Sequence, residues 1–155
     1  MSLKLQGKQK IERQSRWFKE PDMSRAKDIM TRSPITVRET TPIYEAVELA
    51  VKHGISGMPV VEDNMSLVGI LSEKDLIKII HEMEDAENKT VSDFMTQPPI
   101  GFEMDENLLD VCDFLMKNIF RRVPITSEGK LVGVISIRDA LQYILELRRQ
   151  RVSTG

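Results

Sequence analysis

The sequence is poor in the residues that build disulfides and metal sites. Its 155 residues include one cysteine and two histidines. A single cysteine cannot form an internal disulfide, so a reducing compartment, the cytoplasm, is the expected location. His53 and His81 have no cysteine or carboxylate at a metal-ligand spacing, and we expect no metal site. Cys112 stands among apolar helix residues and is expected to be part of the core.

Long apolar segments are also missing. No run approaches the ~20 apolar residues that a membrane-spanning helix needs, and the polar, basic N-terminus does not look like a signal peptide. The sequence contains no Walker-type phosphate loop and no Ser-His-Asp or Cys-His arrangement. We therefore expect a protein that neither spans a membrane nor catalyses a reaction.

Charge of one sign is not in excess. The net charge of −2 gives no general case for nucleic-acid binding. The first twenty residues differ, because they carry six Lys or Arg against two Glu. Such a basic arm is more often a solvated tail, and contact with nucleic acid or an acidic partner is the alternative.

The sequence does contain an internal repeat. Leu67–Asp75, which reads LVGILSEKD, recurs as Leu131–Asp139, which reads LVGVISIRD. The match extends outward, since Asp28–Thr31 (DIMT) corresponds to Asp93–Thr96 (DFMT). The second copy is one residue shorter in a polar turn, where length changes are tolerated best. The chain is therefore a tandem duplication.

Each copy carries the local pattern β-α-β-β-α. In the first copy we predict a helix capped by Thr41, with Pro42 at its first position and Gly54 at its end. The corresponding helix of the second copy is predicted to begin at Glu106 after Asp105. The predicted strands are Ile35–Val37, Met58–Val61, Leu67–Leu71, Ile100–Phe102, Val123–Thr126 and Leu131–Ile135, with helices after Ser72 and from Ile137 to about Arg149.

The duplication and the Gly-x-x-Ser-x-x-Asp endings resemble the CBS domain, the module first named in cystathionine β-synthase. Two tandem copies form a Bateman module, and the resemblance covers roughly residues 24 to 147. It implies an α+β (α/β-type) fold in which two β-α-β-β-α repeats, related by a pseudo-twofold axis, form one compact module. The expected parts are a basic arm (1–24), a first motif (25–84), a linker (85–90), a second motif (91–149) and a tail (150–155).

The Ser-x-x-Asp endings have two interpretations. One is a capping box, in which Ser and an acidic residue three positions later satisfy the first turn of a helix. The other follows from the resemblance, because in CBS domains this Asp takes ribose hydroxyls while the Ser and the helix amides face a phosphate. Both copies keep Asp where Glu more usually completes a capping box, and this favours the interpretation as a ligand site.

Gly69 and Gly133 lie inside predicted strands, where glycine is unfavourable unless something approaches the backbone closely. A packed helix is the slightly favoured explanation, and a flat base is the alternative.

The main asymmetry between the copies is Arg121-Arg122, which replaces Ser56-Gly57. Arginine suits phosphate because its planar fork makes two parallel hydrogen bonds, although a solvated loop is the alternative. The resemblance implies that each Ser-x-x-Asp faces the segment before the middle strand of the other copy. One expected ligand site then contains Ser72, Lys74, Asp75, Arg121 and Arg122, and the other contains Ser136, Arg138, Asp139, Thr41, Ala46, Ser56 and Gly57.

These features predict a regulatory module that binds an adenosine-containing ligand and signals through the geometry of its two motifs or of a dimer. The candidates are AMP, ADP, ATP, S-adenosylmethionine and a dinucleotide, and the more basic first site is expected to prefer the more phosphorylated ligand. No cofactor is required, a homodimer is implied by the resemblance, and the protein target is unknown. The alternative is a ligand-free dimerising scaffold.

Overall fold

The computed structural model describes residues 24–154, without the side chain of Thr154. The predicted basic arm over residues 1–24 therefore lies, apart from Ser24, outside the described residues.

Both copies fold into helices and short strands, and the predicted α+β class is confirmed. The first repeat contains α1 (Ala26–Ile29), β1 (Thr31–Arg32), α2 (Ile43–His53), β2 (Gly57–Val61), β3 (Leu67–Ser72), α3 (Glu73–Ile77), a 3-10 turn (Lys78–His81) and α4 (Met83–Ala86). The second repeat contains a 3-10 turn (Val91–Asp93), β4 (Phe102–Glu103), α5 (Leu108–Lys117), β5 (Arg122–Ser127), β6 (Lys130–Ser136) and α6 (Ile137–Thr154).

The opening segment of each repeat joins the sheet of the other. Strand β1 pairs antiparallel with β6 of the second repeat, with Thr31 opposite Val134. In the same way Thr96 forms an antiparallel bridge with Ile70 of β3. The strand order is β1-β6-β5-β4 in one sheet and β2-β3 in the other. Backbone hydrogen bonds therefore join the two repeats at two equivalent seams.

The hydrophobic cores follow the same exchange. Ala26 and Met30, which open the first repeat, are buried in the core of the second repeat with Phe102 and Ile135. Val91, which opens the second repeat, is buried in the core of the first. Because each core needs a segment of the other repeat, the two repeats form one packed unit.

The glycines inside the strands mark these seams. A Cβ at position 133 would lie 2.8 Å from the carbonyl oxygen of Thr31 and 2.8 Å from the sulfur of Met30. A Cβ at position 69 would lie 2.9 Å from the sulfur of Met95. The predicted close approach is therefore present, but the neighbour is the exchanged opening segment. This segment takes the place of the packed helix that we expected, and the alternative of a base at these glycines stays a prediction.

The predicted start of the first-repeat helix also needs correction. Helix α2 begins at Ile43, and the Thr41 hydroxyl accepts a hydrogen bond from the backbone N–H of Arg38 instead of capping α2. Its end is confirmed, since Gly54 has φ 60°.

In the second repeat, Asn107 caps α5 by accepting from the N–H of Leu109, and the predicted cap Asp105 pairs with Lys27. The predicted start at Glu106 was therefore two residues early. Helix α6 runs to Thr154, beyond the expected end at Arg149.

The segment after Ser72 is less regular than predicted. Its helical stretch breaks into α3, a 3-10 turn and α4. The predicted linker over residues 85–90 begins inside α4, which ends at Ala86. The side chain of Ala86 is fully buried in the first-repeat core.

Candidate functional site

Both Ser-x-x-Asp endings form complete capping boxes. The backbone N–H of Ser72 donates to Oδ2 of Asp75 at 2.9 Å, and the N–H of Asp75 donates to Oγ of Ser72 at 3.2 Å. The second repeat repeats this geometry, with 2.8 Å from the N–H of Ser136 to Oδ2 of Asp139 and 3.1 Å for the return bond. The structural interpretation is therefore present in both copies, and the backbone bond of each cap uses Oδ2 of the carboxylate.

The two aspartates differ in their surroundings. Asp75 is 7% exposed, and its Oδ1 lies 3.9 Å from the ammonium of Lys78. Asp139 is only partly buried, and glutamine occupies the position equivalent to Lys78. Asp139 instead interacts electrostatically with Arg122. The more accessible carboxylate is thus the one that interacts electrostatically with Arg122.

A groove of about 1000 Å³ opens between the helical face of the first repeat and the start of α6. Its walls come from both repeats. Much of its lining is apolar, including Ile77, Ile80 and Leu141. The polar part of its lining consists of Tyr44, Ser56, Glu73, Arg121, Arg122, Ser136 and Arg138.

The arginine pair arises from the pairing of β5 with β6. Arg122 lies opposite Ser136 in the antiparallel register, and the carbonyl of Arg121 accepts from the N–H of Ile137 at 2.9 Å. Both arginines are thereby fixed next to the first turn of α6, whose N-terminus favours negative charge. The guanidinium of Arg121 reaches across the groove to Glu73, with 3.8 Å between Nη1 and Oε1.

Arg122 carries a buried side-chain donor in the wall of the groove. Its Nε is buried and has no hydrogen-bond partner in the described part of the chain. Burial lowers the pKa of its guanidinium below the ordinary value, the charge of Asp139 opposes this shift, and Arg121 adds to it. Buried donors are normally paired, so this N–H is suited to an acceptor supplied from outside the protein.

The structure brings together only part of each expected ligand site. Of the expected residues, Ser56, Arg121, Arg122, Ser136 and Arg138 line the groove. The two arginines therefore lie with the Ser136 side of the module, whereas the expectation grouped them with Asp75. Their link to the first repeat is the contact between Arg121 and Glu73.

The other expected residues lie outside the lining of the groove. Ala46 is fully buried in the first-repeat core, so its side chain is closed to a ligand, and Gly57 is buried in β2. Thr41 bonds to Arg38. Ser72 and Asp75 form the first cap, Lys74 is exposed, and the partly buried Asp139 forms the second cap with Ser136.

Two kinds of residue next to these sites were not predicted. Nothing in the sequence indicated Glu73, because the corresponding residue of the second repeat is Ile137 and the acidic side chain is not repeated. Thr31 and Thr96 each contact an aspartate of the other repeat. Their occurrence at equivalent positions of the DIMT and DFMT segments is the sequence signal from which they could have been identified.

Within residues 24–154, no cluster of three or more His, Cys, Asp or Glu side chains is arranged to hold a metal ion. In the same part of the chain, no helix combines the length and the apolar character required to cross a bilayer.

The chain is similar to curated proteins over about three quarters of its length. It is 34% identical over 118 residues to protein MJ1225 of Methanocaldococcus jannaschii, which covers 76% of this chain and 42% of that protein. It is 28% identical over 142 residues to the chloroplastic protein CBSX2 of Arabidopsis thaliana, covering 74% of this chain and 60% of CBSX2. The chain thus spans between two fifths and three fifths of these relatives, and its cytoplasmic location stays a prediction.

Solved structures extend the comparison to ligands. The crystal structure of CBSX2 in complex with AMP has a TM-score of 0.72 and 29% identity, covering 81% of this chain and 98% of that one. The CBS domain pair of protein MJ0100, in complex with methylthioadenosine and S-adenosyl-L-methionine, has a TM-score of 0.69 and 28% identity, covering 79% and 96%. The CBS domain family matches residues 26–82 and 91–146, and the chain therefore belongs to this family as a tandem pair of CBS domains.

Proposed function

We propose that this chain is a non-catalytic regulatory module that binds an adenine nucleotide beside the start of α6. In this proposal Asp139 takes the ribose hydroxyls, and Arg121 and Arg122 take the phosphate. The observation that carries it is the buried Nε of Arg122, which has no partner in the described chain and belongs to a guanidinium that the charge of Asp139 attracts. A phosphate oxygen would satisfy that donor.

The charges around the groove favour an anionic ligand. Arg121, Arg122 and Arg138 line it, and among residues 24–154 Glu73 supplies the one carboxylate of the lining. Among the adenosine compounds, this balance supports AMP, ADP or ATP over S-adenosylmethionine, whose sulfonium carries a positive charge. The ligands of the CBSX2 and MJ0100 structures support the adenosine part of the proposal.

The position of the groove supports a regulatory role. Its walls come from both repeats, with Ser56 and Glu73 on one side and Arg121 and Ser136 on the other. A ligand that contacts both sides stabilises one relative position of the repeats over another. The proposed signal is this change in the relative position of the repeats, which an unidentified protein target recognises.

The test is a thermal-shift and calorimetric titration with AMP, ADP, ATP and S-adenosylmethionine. A nucleotide at 100 times its dissociation constant should add about 2.7 kcal/mol to the free energy of unfolding. Arg122→Ala should weaken nucleotide binding about tenfold or more, since a charged hydrogen bond contributes roughly 1.5–3 kcal/mol. Arg149→Ala is the matched control, because Arg149 pairs with Glu146 on the exposed end of α6. The proposal fails if no adenosine compound binds, or if Arg122→Ala binds as tightly as the parent.

A second feature favours self-association. Large exposed apolar side chains recur at equivalent positions of the two repeats: Val51 with Met116, Ile77 with Leu141, and Ile80 with Ile144. We propose that this duplicated apolar surface, which includes the groove residues Val51, Ile77, Ile80 and Leu141, pairs with that of a second copy, giving a homodimer next to the proposed nucleotide site. If no adenosine compound binds, the function that this surface supports is that of a dimerising scaffold.

A further inference from the structure

Each seam between the repeats carries a threonine next to the aspartate of the opposite cap. The hydroxyl of Thr31 in the first repeat lies 3.3 and 3.4 Å from the two carboxylate oxygens of Asp139 in the second. The hydroxyl of Thr96 in the second repeat lies 3.5 and 3.3 Å from those of Asp75 in the first. These bonds are long for hydroxyl donors. Their repetition at two independent places indicates a feature of the fold.

The backbone fixes both threonines in these places. Thr31 is held in the antiparallel pairing of β1 with β6, where Arg32 lies opposite Gly133. Thr96 exchanges backbone hydrogen bonds with Ile70 at 2.8 and 3.2 Å. The missing side chains of Gly69 and Gly133 let these segments lie against the strands.

We infer that Thr31 is a positioning residue for the ribose site, acting through the carboxylate of Asp139. The inference rests on the proposed function. The backbone bond of the cap holds Asp139 by Oδ2, and the terminal torsion of an aspartate side chain is broadly distributed. The Thr31 hydroxyl is a second contact, from the other repeat, that limits this rotation. A diol that hydrogen-bonds to both oxygens needs the carboxylate in one orientation.

The equivalent threonine does not take part in ligand binding. Asp75, the partner of Thr96, is 7% exposed and also bonds to the hydroxyl of Ser72 at 2.9 Å. A diol cannot reach this carboxylate as it reaches the partly exposed Asp139. Thr96 therefore stabilises the first seam, while Thr31 serves the ligand as well.

The experiment compares Thr31→Val, which keeps the shape of the side chain without its hydroxyl, with Thr31→Ser, which keeps the hydroxyl. Each is titrated with AMP and with 2′,3′-dideoxy-AMP, which lacks the diol. Thr31→Val should weaken AMP binding about five- to tenfold, the range of one hydrogen bond, and leave dideoxy-AMP binding unchanged. Thr31→Ser should bind both as the parent does.

Thr96→Val is the matched control, and it should lower the melting temperature without changing the ratio of the two affinities. Equal losses for AMP and dideoxy-AMP in Thr31→Val would mean a merely structural role and overturn the inference. No loss for either ligand would overturn it too. Parent protein that binds neither nucleotide would instead refute the proposed function on which the inference rests.

Discussion

The guanidinium of Arg121 and the carboxylate of Glu73 face each other across the groove, 3.8 Å apart and on different repeats. Both side chains are more than half exposed, at 67% and 56%. An ion pair of this kind contributes little to stability, but its carboxylate competes with an incoming phosphate for the same arginine. The contact therefore bears on anion affinity more than on folding.

Replacing Glu73 with glutamine should tighten nucleotide binding. The substitution removes the competing negative charge, and we expect a two- to threefold gain for AMP, about what an exposed charge pair is worth. The free energy of unfolding should change by less than about 0.5 kcal/mol. Isothermal titration and urea denaturation measure the two quantities.

Glu48→Gln provides the charge-matched control, because Glu48 is exposed on α2 and does not line the groove. It should leave AMP affinity unchanged. Weaker binding by Glu73→Gln would show that Glu73 contacts the ligand favourably, contrary to the role given to it here.

The seams make a prediction about stability. Gly133→Ala places a methyl group 2.8 Å from the carbonyl oxygen of Thr31, a backbone atom that cannot turn away. At Gly69 the corresponding carbonyl, that of Thr96, is 3.2 Å away, and the closer atom is the flexible sulfur of Met95. Gly133→Ala should therefore lower the free energy of unfolding by roughly 1–3 kcal/mol, and Gly69→Ala by less. Urea denaturation of both variants, without ligand, checks the order, and the reverse order would contradict the packing described for the seams.

The exchange of opening segments explains what the sequence could and could not predict. The duplication, the β2-β3 and β5-β6 hairpins and the left-handed end at Gly54 depend on residues close together in the chain, and all were predicted. Both repeats carry the same opening motif, however. Pairing Met30-Thr31 with its own repeat or with the other would produce the same sequence pattern.

The partners of the arginine pair could not be predicted for the same reason. Arg122 is the first residue of β5 and lies opposite Ser136 of β6, and Arg121 precedes it with its carbonyl bonded to Ile137. A pattern within one repeat gives no information about which face of the other repeat lies opposite. The contact with Glu73 therefore required the three-dimensional structure.

The duplicated apolar surface predicts a dimer that one charge on each repeat disrupts. Ile80 and Ile144 are equivalent and exposed, at 64% and 57%. A double substitution of both by glutamate should weaken dimerisation by about 2 kcal/mol or more, because it would bury charges in an apolar contact. Sedimentation velocity over a concentration series measures the change. Thr40→Glu, at an exposed turn outside the surface, is the control and should leave the dimer intact. A parent protein that stays monomeric at high concentration would contradict the proposed dimer contact.

Cys112 predicts a loss of stability in alkaline solution. Burial raises the pKa of its thiol to about 11 in the folded protein, whereas an unfolded chain exposes a thiol with a pKa of about 8.5. The folded state thus holds the proton more tightly, and this contribution is complete below about pH 8.5 and is lost as the pH rises toward 11. Unfolding free energies of the parent and of Cys112→Ala, measured in parallel from pH 8 to 11, separate this effect from lysine and tyrosine ionisation, which both proteins share. The difference in unfolding free energy between the parent and Cys112→Ala should shrink across that interval. A constant difference would contradict the prediction, because it would mean that the thiol ionises as freely in the folded chain as in the unfolded one.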